Sequence, residues 1–236
     1  MSEHHKMTKA LKIDFVSDVV CPWCAIGLHG LEIALERLGE SAEADITFHP
    51  YELSPTMPPE GQVHLEYITG KLGISADQAR SVRAQIRSRA ADVGFAVNRD
   101  DTTRIYNTFD AHRLLAWAKD QHRQLLLERA LMTAYFTELK NLGDPEVLVA
   151  AAEQVGLDGA EARAILASDR YAAEVREEEA IWRARGVRSV PAVIVNDRHV
   201  IGGAHPPEEL ERQLRAILAE PARVQAACPL RGKDHA

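Results

Sequence analysis

Cysteines 21 and 24 stand where a strand pattern gives way to a helix pattern, and that junction constrains the fold more than any other part of the chain. Residues 11–20, LKIDFVSDVV, are rich in β-branched and aromatic types and predict a strand over about 11–16. Cys21-Pro22-Trp23-Cys24 follows at once. The next stretch, AIGLHGLEIALERLG, carries Ile26, Leu31, Ala34, Leu35 and Leu38 at helical spacing, with Gly39 as its stop. Residues 44–49, ADITFH, predict a second strand. Strand, helix and strand in this order form a βαβ unit, which implies parallel pairing with the helix across one face.

The texture then changes. Residues 50–62, PYELSPTMPPEGQ, hold four prolines and read as a loop or boundary. Ser75-Ala76-Asp77-Gln78 is a capping box ahead of a helix to about Val93, with Gly94 as its stop. Helical segments follow at 108–120 and 123–139. Asp144 and Pro145 start another, ended by Gly156, and two more cover about 158–167 and 169–185, ended by Gly186. No strand is expected between 62 and 186. The β texture returns with Val190-Pro191-Ala192-Val193-Ile194-Val195, a turn at Asn196-Asp197 and a strand from Arg198 to Ile201. Pro206 and Pro207 open a last helix whose apolar face is Leu210, Leu214, Ile217 and Leu218. Residues 221–236 read as a loose tail. The two β-rich pieces are each too small to bury a core alone. The expectation is an α/β fold in which residues 1–58 and 187–236 form one discontinuous domain around a single sheet, and 59–186 form an all-helical insertion domain.

Length and charge narrow the function classes. A chain of 236 residues, 46% of them hydrophobic, is long enough for a sizeable core. Its formal charge of −7 argues against nucleic acid as the main partner. No apolar run approaches the ~18 residues needed to cross a bilayer. The opening MSEHHKMTKALKIDFVSD has no apolar core of the secretory kind, so a cytoplasmic location is expected.

Three cysteines are too few for a disulfide scaffold of this length. Cys21 and Cys24 have no second C-x-x-C or H-x-x-x-H with which to hold zinc, and Ala25 rules out a C-x-x-C-H haem attachment. No metal site is expected. Two thiols three positions apart at a helix N-terminus suit disulfide exchange. Unpaired amides and the helix dipole there favour a thiolate at Cys21. Cys24, one turn inside, would close the disulfide or resolve a mixed one. Pro22 loses only an N–H that had no partner, and Trp23 offers an apolar platform beside the sulfur. The competing readings are two inert buried cysteines or a zinc half-site completed by another chain. From spacing alone, Pro191 simply starts a strand.

Three stretches, DVVCPWC at 18–24, NTFDAHRLLAWA at 107–118 and VRSVPAVIVNDRHVIGGAHPPEEL at 187–210, make the chain resemble the DsbA family of thioredoxin-fold proteins, in its FrnE-like branch. The likeness covers about residues 11–219. It implies a thioredoxin-like fold with sheet order 2-1-3-4 and the helical insertion over the active-site end. It also implies a cis Pro191 lying against the thiols, with the Val190 backbone offered to an extended substrate. The implied activity is thiol–disulfide oxidoreduction of a protein or small molecule, with Cys21 as nucleophile and Cys24 as resolving thiol. No bound cofactor is implied, though glutathione would serve as co-substrate. In that context His112, beside Asn107 and Arg113, would line the cleft. His205, after Gly202-Gly203-Ala204, would contact substrate.

Alternatives remain. Asp14 and Asp18 would accept a proton from Cys24 if buried near it; otherwise they are an edge-face residue and a turn residue. Cys228 is either a further redox partner or incidental. Glu177-Glu178-Glu179 reads as a solvated helix face. The helical insertion would be a lid or a homodimer surface. A second function is a glutathione-dependent isomerase or transferase on a small aromatic or polyketide-like substrate. It resembles the kappa-class transferases and 2-hydroxychromene-2-carboxylate isomerases, which typically carry Ser at the position of Cys21. A third is a non-enzymatic peptide-binding module.

Overall fold

A computed structural model describes residues 9–39 and 42–220. The expected tail and Cys228 lie outside the described residues. Strand β1, Lys9–Ser17, runs into helix α1, Pro22–Leu38, and returns as β2, Ala42–Pro50. β1 and β2 pair in parallel, Ile13 opposite Ile46 and Phe15 opposite Phe48. Strands β5, Ala192–Val195, and β6, His199–Gly202, form a hairpin whose Asn196 and Asp197 both take positive φ, as a tight primed turn requires. β5 joins the free side of β1 antiparallel, so the sheet runs β2-β1-β5-β6. The final helix, α9, spans Pro207–Ala219.

The alternation of β1 sorts its side chains to the two faces. Leu11, Ile13 and Phe15 enter the main core with Leu28 and Leu31 of α1 and Leu210 and Leu214 of α9. Val16 faces the other way, with Ala192 and Ile194, and is covered by Trp182. Trp182 belongs to α8, Ala172–Ala184, the last helix of the insertion. The fold is thioredoxin-like, with a helical excursion between the second and third strands of its sheet.

The excursion holds more than the expected helices. A short helix, α2 (His64–Leu72), precedes α3 (Ala76–Asp92), which begins at the expected Ser75–Gln78 capping box. The block is not wholly helical: β3, Gln62–Val63, pairs antiparallel with β4, Arg104–Ile105. The single helix expected over 123–139 is α5, Gln124–Met132, continued by a π-helical turn at Thr133–Thr137. α4 (Phe109–Asp120), α6 (Pro145–Gln154) and α7 (Gly159–Leu166) complete it. The acidic run on α8 is a solvated face only in part: Glu177 is exposed and Glu178 half-buried. Glu179 is buried, accepting the Glu52 amide at 2.8 Å and held by Arg176 and Arg183. Among the described residues no helix is long and apolar enough to cross a membrane.

Candidate active site

Cys21 is the N-cap of α1, in extended backbone, with Pro22 in the first helical position. Its carbonyl accepts the Cys24 amide at 3.0 Å and the Ala25 amide at 3.2 Å, which starts the helix. Its own amide donates to the Asp18 carbonyl at 2.9 Å, fixing the turn between strand and helix. Both thiols are free and buried, and Cys24 is wholly enclosed. Trp23, between them, is 38% exposed.

The Val190–Pro191 peptide is cis. The Cys21 thiol points at the Val190 carbonyl, Sγ to O 3.8 Å, and the Pro191 carbonyl accepts the Gly203 amide at 2.8 Å. Pro191 packs on α1 at Gly27, where a Cβ would meet the Pro191 ring at 3.1 Å. A groove of about 500 Å³ runs beside this junction, lined among others by Trp23, Ile26, Arg37, Arg89, Val93 and His205. The His205 ring meets the Gly202 carbonyl at 3.0 Å. The structure thus brings Cys21, Cys24, Val190 and Pro191 together, and sets Trp23 and His205 along one groove.

It does not bring His112 there. That ring was expected in the cleft, but it lies on the inward face of α4, 3% exposed, with Nε2 3.7 Å from Asp18 Oδ1 and without a hydrogen bond. Burial alone would lower its pKa. The nearby Asp18 carboxylate, together with the charges of Glu128 and Glu52, outweighs burial and raises it. Arg113 points away from the thiols and donates to the carbonyls of Ile165, Ser168 and Arg170 and to Asp110. Asn107 reaches Glu52 at 3.4 Å.

The two aspartates divide between the faces of the sheet. Asp14 is on no edge: β1 is paired on both sides, and Asp14 is buried against His49 at 2.8 Å on the face away from α1. Asp18 is fully buried, with Oδ2 accepting the Leu53 amide at 2.8 Å and Oδ1 the Val20 amide at 3.4 Å.

Burial pushes the Cys24 thiol well above its usual range, as do a hydrogen bond and charge from Cys21. The Asp18 backbone and the Ser17 side chain act the other way. Ser17 in turn donates to Glu128 Oε1 at 2.7 Å. Burial carries Glu128 up to about 7, against the Ser17 hydrogen bond and the nearby His112. Ser17 and Glu128 are absent from the sequence reading. The available signal was on α5, whose apolar stripe of Leu127 and Leu131 also carries Gln124 and Glu128, all four buried.

Comparison with known proteins adds to this geometry. A family model described as a DSBA-like thioredoxin domain matches residues 12–215. The chain is 31% identical to a probable DsbA oxidoreductase from Streptomyces coelicolor, with a TM-score of 0.85 over 91% of this chain and 93% of that one. A cytosolic disulfide reductase, DsbM, from Pseudomonas aeruginosa, solved with glutathione, is similar at a TM-score of 0.60, 16% identity, and 88% and 98% coverage. A 2-hydroxychromene-2-carboxylate isomerase is similar at 0.60, 16% identity, and 87% and 94% coverage. At that identity the last two share the fold alone.

Proposed function

The chain belongs to the DSBA-like thioredoxin domain family, and we propose that within it the protein is a thiol–disulfide oxidoreductase that uses Cys21 as nucleophile and Cys24 as resolving thiol. The observation that carries this reading is the contrast between the two sulfurs at one helix end. Cys21 sits at the N-cap, against the Val190 carbonyl; Cys24 is sealed one turn inside. In the oxidising direction a substrate thiolate opens the Cys21–Cys24 bond and is left joined to Cys21. A second substrate thiolate then releases the reduced protein. In the reducing direction the Cys21 thiolate opens a substrate disulfide, and Cys24 attacks Cys21 to expel the substrate as thiolate.

In this reading the Val190–Pro191 segment presents backbone to an extended substrate. Pro22, Trp23 and His205 meet the part of it that lies in the groove. Glutathione is the co-substrate we propose for regenerating the thiols. The Pseudomonas reductase solved with glutathione, which shares this fold, supports that choice and supports the cytoplasm as compartment. The isomerase fold-mate has equal structural likeness, so likeness does not choose between the two chemistries; the paired thiols favour disulfide exchange.

Exchange with oxidised glutathione or insulin tests the reading. Cys21→Ser is expected to abolish turnover, and Cys24→Ala to accumulate a mixed disulfide on Cys21 visible by mass spectrometry. Wild-type turnover by Cys21→Ser would refute it. Isomerisation of a chromene carboxylate by Cys24→Ala would favour the second chemistry. Fractionation of cells carrying the native protein checks the compartment.

A further inference from the structure

The sheet ends on β6. In the β5–β6 hairpin the Gly203 amide donates to the Pro191 carbonyl, and the pairs Val193–Ile201 and Val195–His199 continue that ladder. Bonding alternates along an antiparallel pair. Ile201 and His199 therefore turn their backbone groups toward β5, and Val200 and Gly202 turn theirs away from the sheet. Among the described residues no strand lies on that side. Of the outward groups only the Gly202 carbonyl has a contact there, the His205 ring at 3.0 Å.

The same edge carries apolar surface. Val200 stands opposite Ile194, on the face where Val16, Ala192 and Ile194 pack under Trp182. Val200 lies beyond that cover and is 70% exposed. A groove of about 590 Å³ opens there, lined among others by Trp182, Arg185, Arg188, Ile194, Asp197 and Val200. Its charges are separated. Arg188 precedes Pro191 and so belongs to the end where Gly203 pairs. Neither it nor Arg185 has a carboxylate partner among the described residues: Arg185 lies on the Trp182 ring, and Arg188 donates to the carbonyls of Arg183 and Val187. Asp197 is in the turn at the other end of the hairpin and meets Lys12 through Oδ1, which leaves its second oxygen free.

We propose that two copies of the chain join edge to edge through β6, about a two-fold axis that passes through Ile201 perpendicular to the sheet. Val200 of each copy then faces Gly202 of the other, and the two exchange N–H···O=C bonds, so that the two four-stranded sheets become one. The axis keeps the α8 faces of both copies on the same side. Gly202 has no side chain, so each Val200 seats over it and into the other copy's groove. Antiparallel pairing also brings the Asp197 end of each β6 to the Arg188 end of the other, and the contact occurs twice, as an isologous interface requires. That charge match favours a second copy over residues 221–236 of the same chain. Those follow Glu220, which is held by Arg198 and His199 beside β6, but they carry Arg223, Arg231 and Lys233 against the single carboxylate side chain of Asp234. Neither Cys21 nor Cys24 takes part in the seam, so the assembly stands or falls apart from the redox chemistry.

Sedimentation equilibrium of the full chain over a wide range of concentration is expected to show monomer and dimer in exchange. Val200→Lys places an ammonium group beside the other copy's arginines at both contacts and should raise the dissociation constant roughly 30-fold or more. Val200→Pro removes the outward amide while sparing the β5 ladder and should act likewise, whereas Val200→Ile should stay within about three-fold of the wild type. In hydrogen exchange, the Val200 and Gly202 amides should gain protection in step with the dimer fraction. Wild-type thermal midpoints would show that the variants are folded, and if Val200→Pro fails to fold, Val200→Lys decides. A monomer at every concentration would overturn the proposal, as would a dimer that neither variant weakens. Protection of both amides that does not change with concentration would assign the edge to the chain's own terminus and overturn it as well.

Discussion

A methyl group on Gly27 would stand 3.1 Å from Cγ of Pro191 and 3.8 Å from the Ala204 backbone. The missing side chain is therefore what lets helix α1 close against the loop that faces Cys21. Gly27→Val would force branched carbons into the rigid Pro191 ring. We expect a loss of about 1–3 kcal/mol, typical of overpacking, read by urea unfolding, together with slower reaction of Cys21 with a small aromatic disulfide. Unchanged stability and reactivity would show that the loop shifts freely. At this scale the sequence was readable where chemistry is local. The two cysteines, the proline at the first helical position and the turn at Asn196-Asp197 each declare themselves by spacing or residue type. His112 does not, because helical periodicity says that a ring is buried without saying what buries it.

Among the elements, α4 and α5 carry the polar groups that reach the sheet, and α4 is also tied to the far side of the insertion. Arg113 of α4 bridges three carbonyls between Ile165 and Arg170, across the connection from α7 to α8. An ammonium cannot span three acceptors as a guanidinium fork does. Arg113→Lys should therefore cost on the order of 1–3 kcal/mol, because the buried Ile165 carbonyl and the part-buried carbonyls of Ser168 and Arg170 lose a charged partner. Chemical denaturation would measure it, and a cost under about 0.5 kcal/mol, the range of a neutral surface change, would contradict it. Glu128 of α5 makes stability depend on pH. Its pKa is raised from 4.5 to about 7 on folding, so the folded state holds the proton more tightly. The stability linked to that proton is full below pH 4.5 and is lost as pH climbs through about 7, a difference of roughly 3 kcal/mol. His112, also raised, acts in the same sense. The thermal midpoint should fall between about pH 4.5 and 7 and level off above, and Glu128→Gln should flatten that fall; parallel curves by calorimetry would count against it. Helix α2 and the β3–β4 pair escaped the sequence reading for physical reasons. α2 has only nine residues and directly follows the proline-rich loop, so its short run of Leu65, Ile68 and Leu72 does not stand out, and two-residue strands are too short to alternate.

Across the whole molecule one apolar cluster runs without a break from Leu11 and Ile13 of β1, through Leu28 and Leu31 of α1, to Leu114, Leu131, Leu148 and Ile165 of the insertion. If sheet and insertion share that core, they should melt together. We expect a single calorimetric transition with equal van't Hoff and calorimetric enthalpies. Two resolved transitions would instead support the insertion as an independently folding domain over 59–186. What the chain's order of residues determined by itself was the succession of periods: two, then 3.6, then two again, with a C-x-x-C at the first change. Each of those signals acts within a few residues, so the order of β-α-β, helical block and β-β-α and the pair of thiols could be read directly, whereas the thioredoxin-like plan came with the family resemblance. Tertiary structure alone decided that the Ser17 hydroxyl meets a buried carboxylate. Ser17 and Glu128 are 111 positions apart. A glutamate on an apolar helix face shows locally only that it is buried. Its partner is chosen when the helical block folds back onto the end of β1, and that choice depends on packing across the whole core.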